Sequence, residues 1–126
     1  MEIKDFKPGQ IVYALSRERG RTTHHTMRRY TVISVGRKYV KVAPIDFPNL
    51  TTEFYKPEGD TEYLTEKKDW GNPMRLFLTE AAVNDDIEAD MLRSWFRKAA
   101  EHYRIEKYTL EQLRAVKSIL EGNDNE

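Results

Sequence analysis

Cysteine is absent from the 126 residues, which excludes disulfides and any thiolate metal site. Long apolar runs are missing too, and nothing approaches the roughly 18 residues that a membrane-spanning helix requires. The opening Met-Glu-Ile-Lys-Asp-Phe-Lys-Pro lacks the apolar stretch of a signal peptide, so the cytoplasm is the expected location, with no membrane partner. There is no Gly-x-Ser-x-Gly nucleophile elbow and no glycine-rich phosphate loop. Gly36-Arg37-Lys38 offers one glycine and two cations but opens no helix, so it is not a nucleotide cradle. With no activated nucleophile and no cofactor motif, neither an enzyme nor a cofactor is expected.

Net charge is also lacking, yet the zero total hides an asymmetry. Residues 1–46 hold ten Lys/Arg against four Asp/Glu, or +6, and residues 47–126 hold eleven against seventeen, or −6. A basic half joined to an acidic one has two readings: nucleic-acid contact on one side, or attraction between the halves within the fold.

What the sequence does contain is a strong β pattern. Tyr30 to Ala43 carries two β-branched runs around Gly36-Arg37, which predicts a hairpin with a two-residue type II′ turn. In that register Ile33, Val35, Val40 and Val42 face the core, while Tyr30, Val32, Ser34, Tyr39 and Lys41 share the other face. An isolated hairpin is marginal in water, so it belongs to a larger sheet. A strand over Gln10–Ser16 is predicted to put Ile11, Tyr13 and Leu15 on one face. Arg17 to Arg29 reads as a long polar connection with five Arg and two His against one Glu. Alternation predicts strands over Leu50–Lys56 and Thr61–Glu66, separated by the turn Pro57-Glu58-Gly59-Asp60. Met74–Leu78 would close the sheet.

The pattern switches at Thr79, a candidate N-cap for a helix of six to seven turns. Val83, Ile87, Met91, Trp95, Phe96, Ala99 and Tyr103 recur on it at helical spacing. A second helix starts at Thr109, where Thr109 and Gln112 form a capping box and Gly122 marks the stop, with Asn123–Glu126 expected to fray. The fold expected is therefore α+β: a small SH3-like antiparallel β-barrel of five or six short strands in residues 1–78, followed by two C-terminal α-helices in 79–126. The helices are expected to dock on the barrel as one cooperative domain.

Three clusters are candidates for chemistry. His24-His25 is the obvious metal candidate, but adjacent residues of an extended chain point to opposite sides and no third ligand accompanies them, so no metal site is predicted. Asp85, Asp86, Glu88 and Asp90 lack the glycine and ligand spacing of a calcium loop. They read as a solvated patch compensating the helix dipole. The best functional lead is the basic surface of Arg17, Arg19, Arg21, Arg28 and Arg29, extended by Arg37, Lys38, Tyr39 and Lys41 on the hairpin. Cations at such positions track phosphates, and tyrosines beside them, Tyr30 included, stack bases. The competing reading buries both tyrosines beneath the first helix and leaves the arginines merely solvated. A further candidate surface is the wide apolar face around Met91, Trp95 and Phe96, which covers the barrel and second helix or else marks a protein interface.

The succession of Gln10–Tyr13, the Ser34–Val42 hairpin and the Arg75–Asp90 strand-to-helix junction resembles small β-barrel proteins encoded by tailed phages and prophages. That resemblance implies a phage-associated β-barrel and assigns no catalytic or binding residue. Two functions remain: a non-catalytic module contacting DNA or RNA through the basic loop and hairpin, or a regulator that binds a host or phage protein through an acidic or apolar helical surface. The oligomeric state is not legible in the sequence.

Overall fold

The computed structural model describes residues 1–18 and 23–122 of the chain. Six antiparallel strands form a closed barrel in which each strand neighbours the next in sequence, and the last returns to the first. They are β1 (Ile11–Glu18), β2 (His24–Val35), β3 (Tyr39–Pro44), β4 (Thr52–Tyr55), β5 (Leu64–Glu66) and β6 (Arg75–Phe77). Three helices follow: α1 (Glu80–Ala99), the single turn α2 (His102–Ile105) and α3 (Leu110–Glu121). Two compact units result, Met1–Ile87 and Glu88–Glu126.

Every strand contributes to the barrel interior: Val12 and Ala14, Tyr30 and Val32, Val40 and Val42, Phe54, Leu64, and Leu76. Fully burying such a side chain contributes about 1.5–3 kcal/mol, so these residues dominate the stability of the first unit. Phe6 joins the same core, and Met1 and Ile3 pack against it. The turn that brings the N-terminal segment there depends on Gly9, whose φ of 84° suits glycine. Its N–H donates to the Val32 carbonyl at 2.8 Å.

The central hairpin differs from the predicted one. Val35 pairs with Val40, so the loop has four residues, and Gly36 lacks the positive φ that a II′ turn demands. Two extra loop residues alone would have left Ile33 on the core face. The pairing, however, slips by one between Val32 and Ser34, a β-bulge that exchanges the faces of β2 below it. Tyr30 and Val32 consequently point inward, and Ile33 faces out at 44% exposure.

In β1, Ile11, Tyr13 and Leu15 share one face as predicted, and it is the outer one. Val12 and Ala14 enter the barrel, whereas Leu15 lies on the outer side with Phe77 and Val83, and Ile11 is exposed. Both faces of β1 are thus used, because the first turns of α1 cover its outside. Strand pairing continues from Ile11↔Thr31 out to Glu18↔His24, so most of the predicted long polar connection is in fact a β-ribbon. Leu15 and Met27 face each other within it, which supplies the apolar contact that holds the two strands.

The helix signals behave as read. Thr79 Oγ1 accepts the Ala82 N–H at 3.1 Å, and the Thr109/Gln112 capping box closes with bonds of 2.9 and 3.1 Å. The first helix is shorter than expected, ending at Ala99 before Tyr103. The expected fraying of Asn123–Glu126 falls outside the described residues. Among the described residues, no helix is long and apolar enough to cross a membrane.

Candidate nucleic-acid interface

From Tyr39 to Val42, β3 alternates in step with β4. Val40 and Phe54 face each other on the inside, which forces their neighbours outward. Tyr39 therefore lies directly opposite Tyr55, and Lys41 opposite Glu53, on the outer surface. Directly opposed residues have Cβ atoms about 4.5–5.5 Å apart, so the two tyrosines are cross-strand neighbours on one face. Lys67 Nζ sits 4.6 Å from the centroid of the Tyr39 ring, within cation–π range. The exposed Arg37 and Lys38 continue this surface at the hairpin end. Beside them a cleft of about 590 Å³ is lined by Lys4, Val35, Gly36, Arg37, Lys56 and Glu2. Glu2 answers part of that charge: it accepts a bond from Lys56 Nζ at 2.7 Å, and this bond, with the Lys56 charge behind it, holds the Glu2 carboxyl below its ordinary pKa.

The sequence-derived candidates divide along β2 instead of converging. Arg28 and Arg29 are exposed on consecutive positions, opposite Ala14 and Tyr13, and so project to opposite faces of the ribbon. Six residues of strand, about 20 Å, separate Arg29 from the hairpin end at Val35. Arg19 and Arg21 lie outside the described residues. Arg17 is placed differently from all of these. Its Nη2 donates to Asp86 Oδ2 at 3.2 Å, and both side chains are largely covered, at 15% and 13% exposure.

Asp86 is thus no member of a solvated patch, as the acidic run had suggested. It also accepts from Arg75 Nη1 at 2.8 Å, and the Arg75 guanidinium lies 4.2 Å from the centroid of the Tyr63 ring. A carboxylate shared between two arginines ties the second turn of α1 to β1 and β6. The helical spacing shows why: Val83, Asp86 and Ile87 fall on one face, and Val83 and Ile87 pack on the outer cluster with Leu15 and Phe77.

Tyr30 is the second correction. The bulge turns it into the barrel at 5% exposure, where its hydroxyl approaches Met74 Sδ at 3.8 Å, so it presents no face to a base. Burial pushes its phenol pKa up. Tyr55, Lys67, Lys4 and Lys56 were missed because their membership depends on cross-strand register and on the N-terminal turn. Alternation predicts the strand that carries Tyr55, but only pairing reveals Tyr39 as its partner. Among the described residues, no three His, Asp or Glu side chains converge in a metal-binding group.

The helical unit offers a surface of another kind. Trp95, Phe96, Ile105, Tyr108, Leu113 and Leu120 line an apolar groove of about 640 Å³ between the end of α1 and α3. Trp95 is 65% exposed, with its ring centroid 6.5 Å from that of Phe96.

Searches of curated proteins and of solved structures found no match. The sequence matches a phage family across residues 1–125, a span that takes in the barrel and the helices alike. The chain belongs to the Phage ProQ C-terminal-like domain family, and is a small phage-associated barrel protein.

Proposed function

We propose that this chain is a non-catalytic binding module that contacts nucleic acid, acting in the cytoplasm of the bacterial host. The observation that carries the reading is the opposed pair Tyr39 and Tyr55 on an open barrel wall, with Lys41, Lys67, Arg37 and Lys38 around it. Single strands bind such surfaces by stacking bases on aromatic rings while cations follow the phosphates. The tyrosine pair supplies the platform, and Arg37 and Lys38 lead the backbone toward the cleft between Lys4 and Lys56. Arg29, opposite Tyr13, extends the positive charge along the outer face of the ribbon, whereas Arg28 projects to the other face. Arg17 is left out of the contact set, because its guanidinium is engaged by Asp86. Glu53, opposite Lys41, tempers the field locally and favours a modest, sequence-tolerant affinity.

The test is a salt-titrated binding series on single- and double-stranded DNA and RNA oligonucleotides. Single strands should bind more tightly than duplexes. Replacing Arg37, Lys38 and Lys41 together by alanine should flatten the slope of log K against log salt by about 0.7 per lost phosphate contact. Binding no stronger than millimolar at low salt, or a slope unaltered by the triple variant, would sink the proposal.

A further inference from the structure

From Glu88 onward no described residue is buried, although the sequence there is amphipathic and rich in Trp, Phe, Leu and Ile. We propose that the helical unit docks on the same unit of a second copy of the chain, the two apolar grooves closing on each other as a four-helix arrangement. This goes beyond the nucleic-acid reading and is independent of it.

Size makes the first argument. The unit spans residues 88–126, or 39 residues. Units of about 40 residues or fewer usually need a disulfide, a metal or oligomerisation to hold together. Cysteine is absent, and the described residues contain no metal-binding group. Oligomerisation is the third such staple.

Area and charge identify the occupant as a second copy. Leu92, Trp95, Leu113, Val116, Ile119 and Leu120 are 41–76% exposed, and with Met91, Phe96 and Leu110 beside them they leave apolar surface on the order of 800–1,000 Å² per chain, given ~150–250 Å² for an aromatic side chain and somewhat less for an aliphatic one. A stable dimer buries about 800 Å² on each partner, and obligate homodimer interfaces are the more hydrophobic kind. The unit presents no net field that would select an acidic or a basic partner. Its seven Lys/Arg, at 93, 97, 98, 104, 107, 114 and 117, are nearly balanced by eight Asp/Glu, at 88, 90, 101, 106, 111, 121, 124 and 126. The whole chain carries no net charge, so two copies approach without net repulsion. Paired amphipathic helices bury such faces most completely as a four-helix bundle.

Sedimentation equilibrium of the full chain is the direct test. The expected result is twice the 14.9 kDa chain mass at about 10 µM and above. Trp95→Glu combined with Leu120→Glu should return the mass to that of one chain, whereas Leu50→Glu, an equally exposed change on the barrel, should leave the dimer intact. A single-chain mass for the wild type throughout, or a dimer that survives the double variant, overturns the proposal. A second measurement leaves the interface untouched. The chain has two tryptophans, so Trp70→Phe makes Trp95 the sole emitter. Its emission should shift to the red on dilution, in step with the fall in mass. Emission that stays constant while the mass halves would place the interface elsewhere and overturn the proposal as well.

Discussion

Asp86 Oδ1 and Arg75 Nη1 meet at 2.8 Å, and the same carboxylate takes a second arginine, Arg17, at 3.2 Å. The bond joins the start of the helical segment to the strand that closes the barrel. Removing the charge from Asp86 leaves two arginines facing each other in a largely covered site. Asp86→Asn should therefore cost about 1–3 kcal/mol, less than a fully buried pair because Arg75 retains partial exposure. Urea unfolding of the two proteins measures it, and a difference below about 0.5 kcal/mol would make the cluster decorative.

Stacking and charge neutralisation predict separable effects in the oligonucleotide series. Tyr39→Ala and Tyr55→Ala should each weaken single-strand binding by about 1–3 kcal/mol while leaving the salt slope unaltered. Lysine and arginine variants should change that slope. Tyrosine variants that behave like the cation variants would argue against a stacking platform.

Tyr30 gives a pH signature. Burial raises its folded-state pKa above the ordinary value near 10, so the neutral phenol is the form that folding favours. The associated stability is fully present below the unfolded pKa and is lost as pH rises through the higher folded value. Tyr30→Phe should match the wild type within about 1 kcal/mol at pH 7, since it loses only a long contact to Met74. Above pH 10 the variant should become the more stable of the two. Denaturant midpoints at pH 7 and near pH 11 decide it, and parallel losses at alkaline pH would mean that the phenol ionises without resistance.

The capping box of α3 should be worth about 1 kcal/mol, because Thr109 satisfies the Gln112 N–H and Gln112 returns a bond to the Thr109 N–H. Thr109→Ala should lower helicity at 222 nm and leave the near-UV signal of the barrel unchanged. A loss confined to the barrel signal would refute this assignment.

Short-range chemistry was legible in the sequence. Thr79 and Thr109 mark their helices because capping involves residues three apart, and the alternation around Phe54 reports a half-buried strand directly. The barrel and its trailing helices follow from the same two periods. What the sequence hid was register. Nothing in Val32-Ile33-Ser34 announces a bulge, and one inserted residue sends Ile33 outward and Tyr30 inward. The pairing of Arg17 and Glu18 with His25 and His24 was hidden because polar residues dominate there and the Leu15–Met27 pair is far apart in sequence. The candidate site suffered for the same reason: Tyr39 was visible, but Tyr55 and Lys67 became its neighbours only through cross-strand pairing. Asp86 looked solvated because its two arginines come from 69 and 11 residues away.

The seam where β1 meets β6 also sets the order of events during synthesis. Tyr13 pairs with Phe77, 64 residues later, whereas every other strand pairing joins sequence neighbours. Hairpins can form as they emerge from the ribosome, but the ring stays open until the Arg75–Phe77 segment is free to bridge its ends. Until then both rims expose unpaired backbone and the apolar lining faces water, a state open to capture by other strands. Closing so long a loop is slow compared with forming a hairpin, and a chain truncated before Arg75 has no means of completing it.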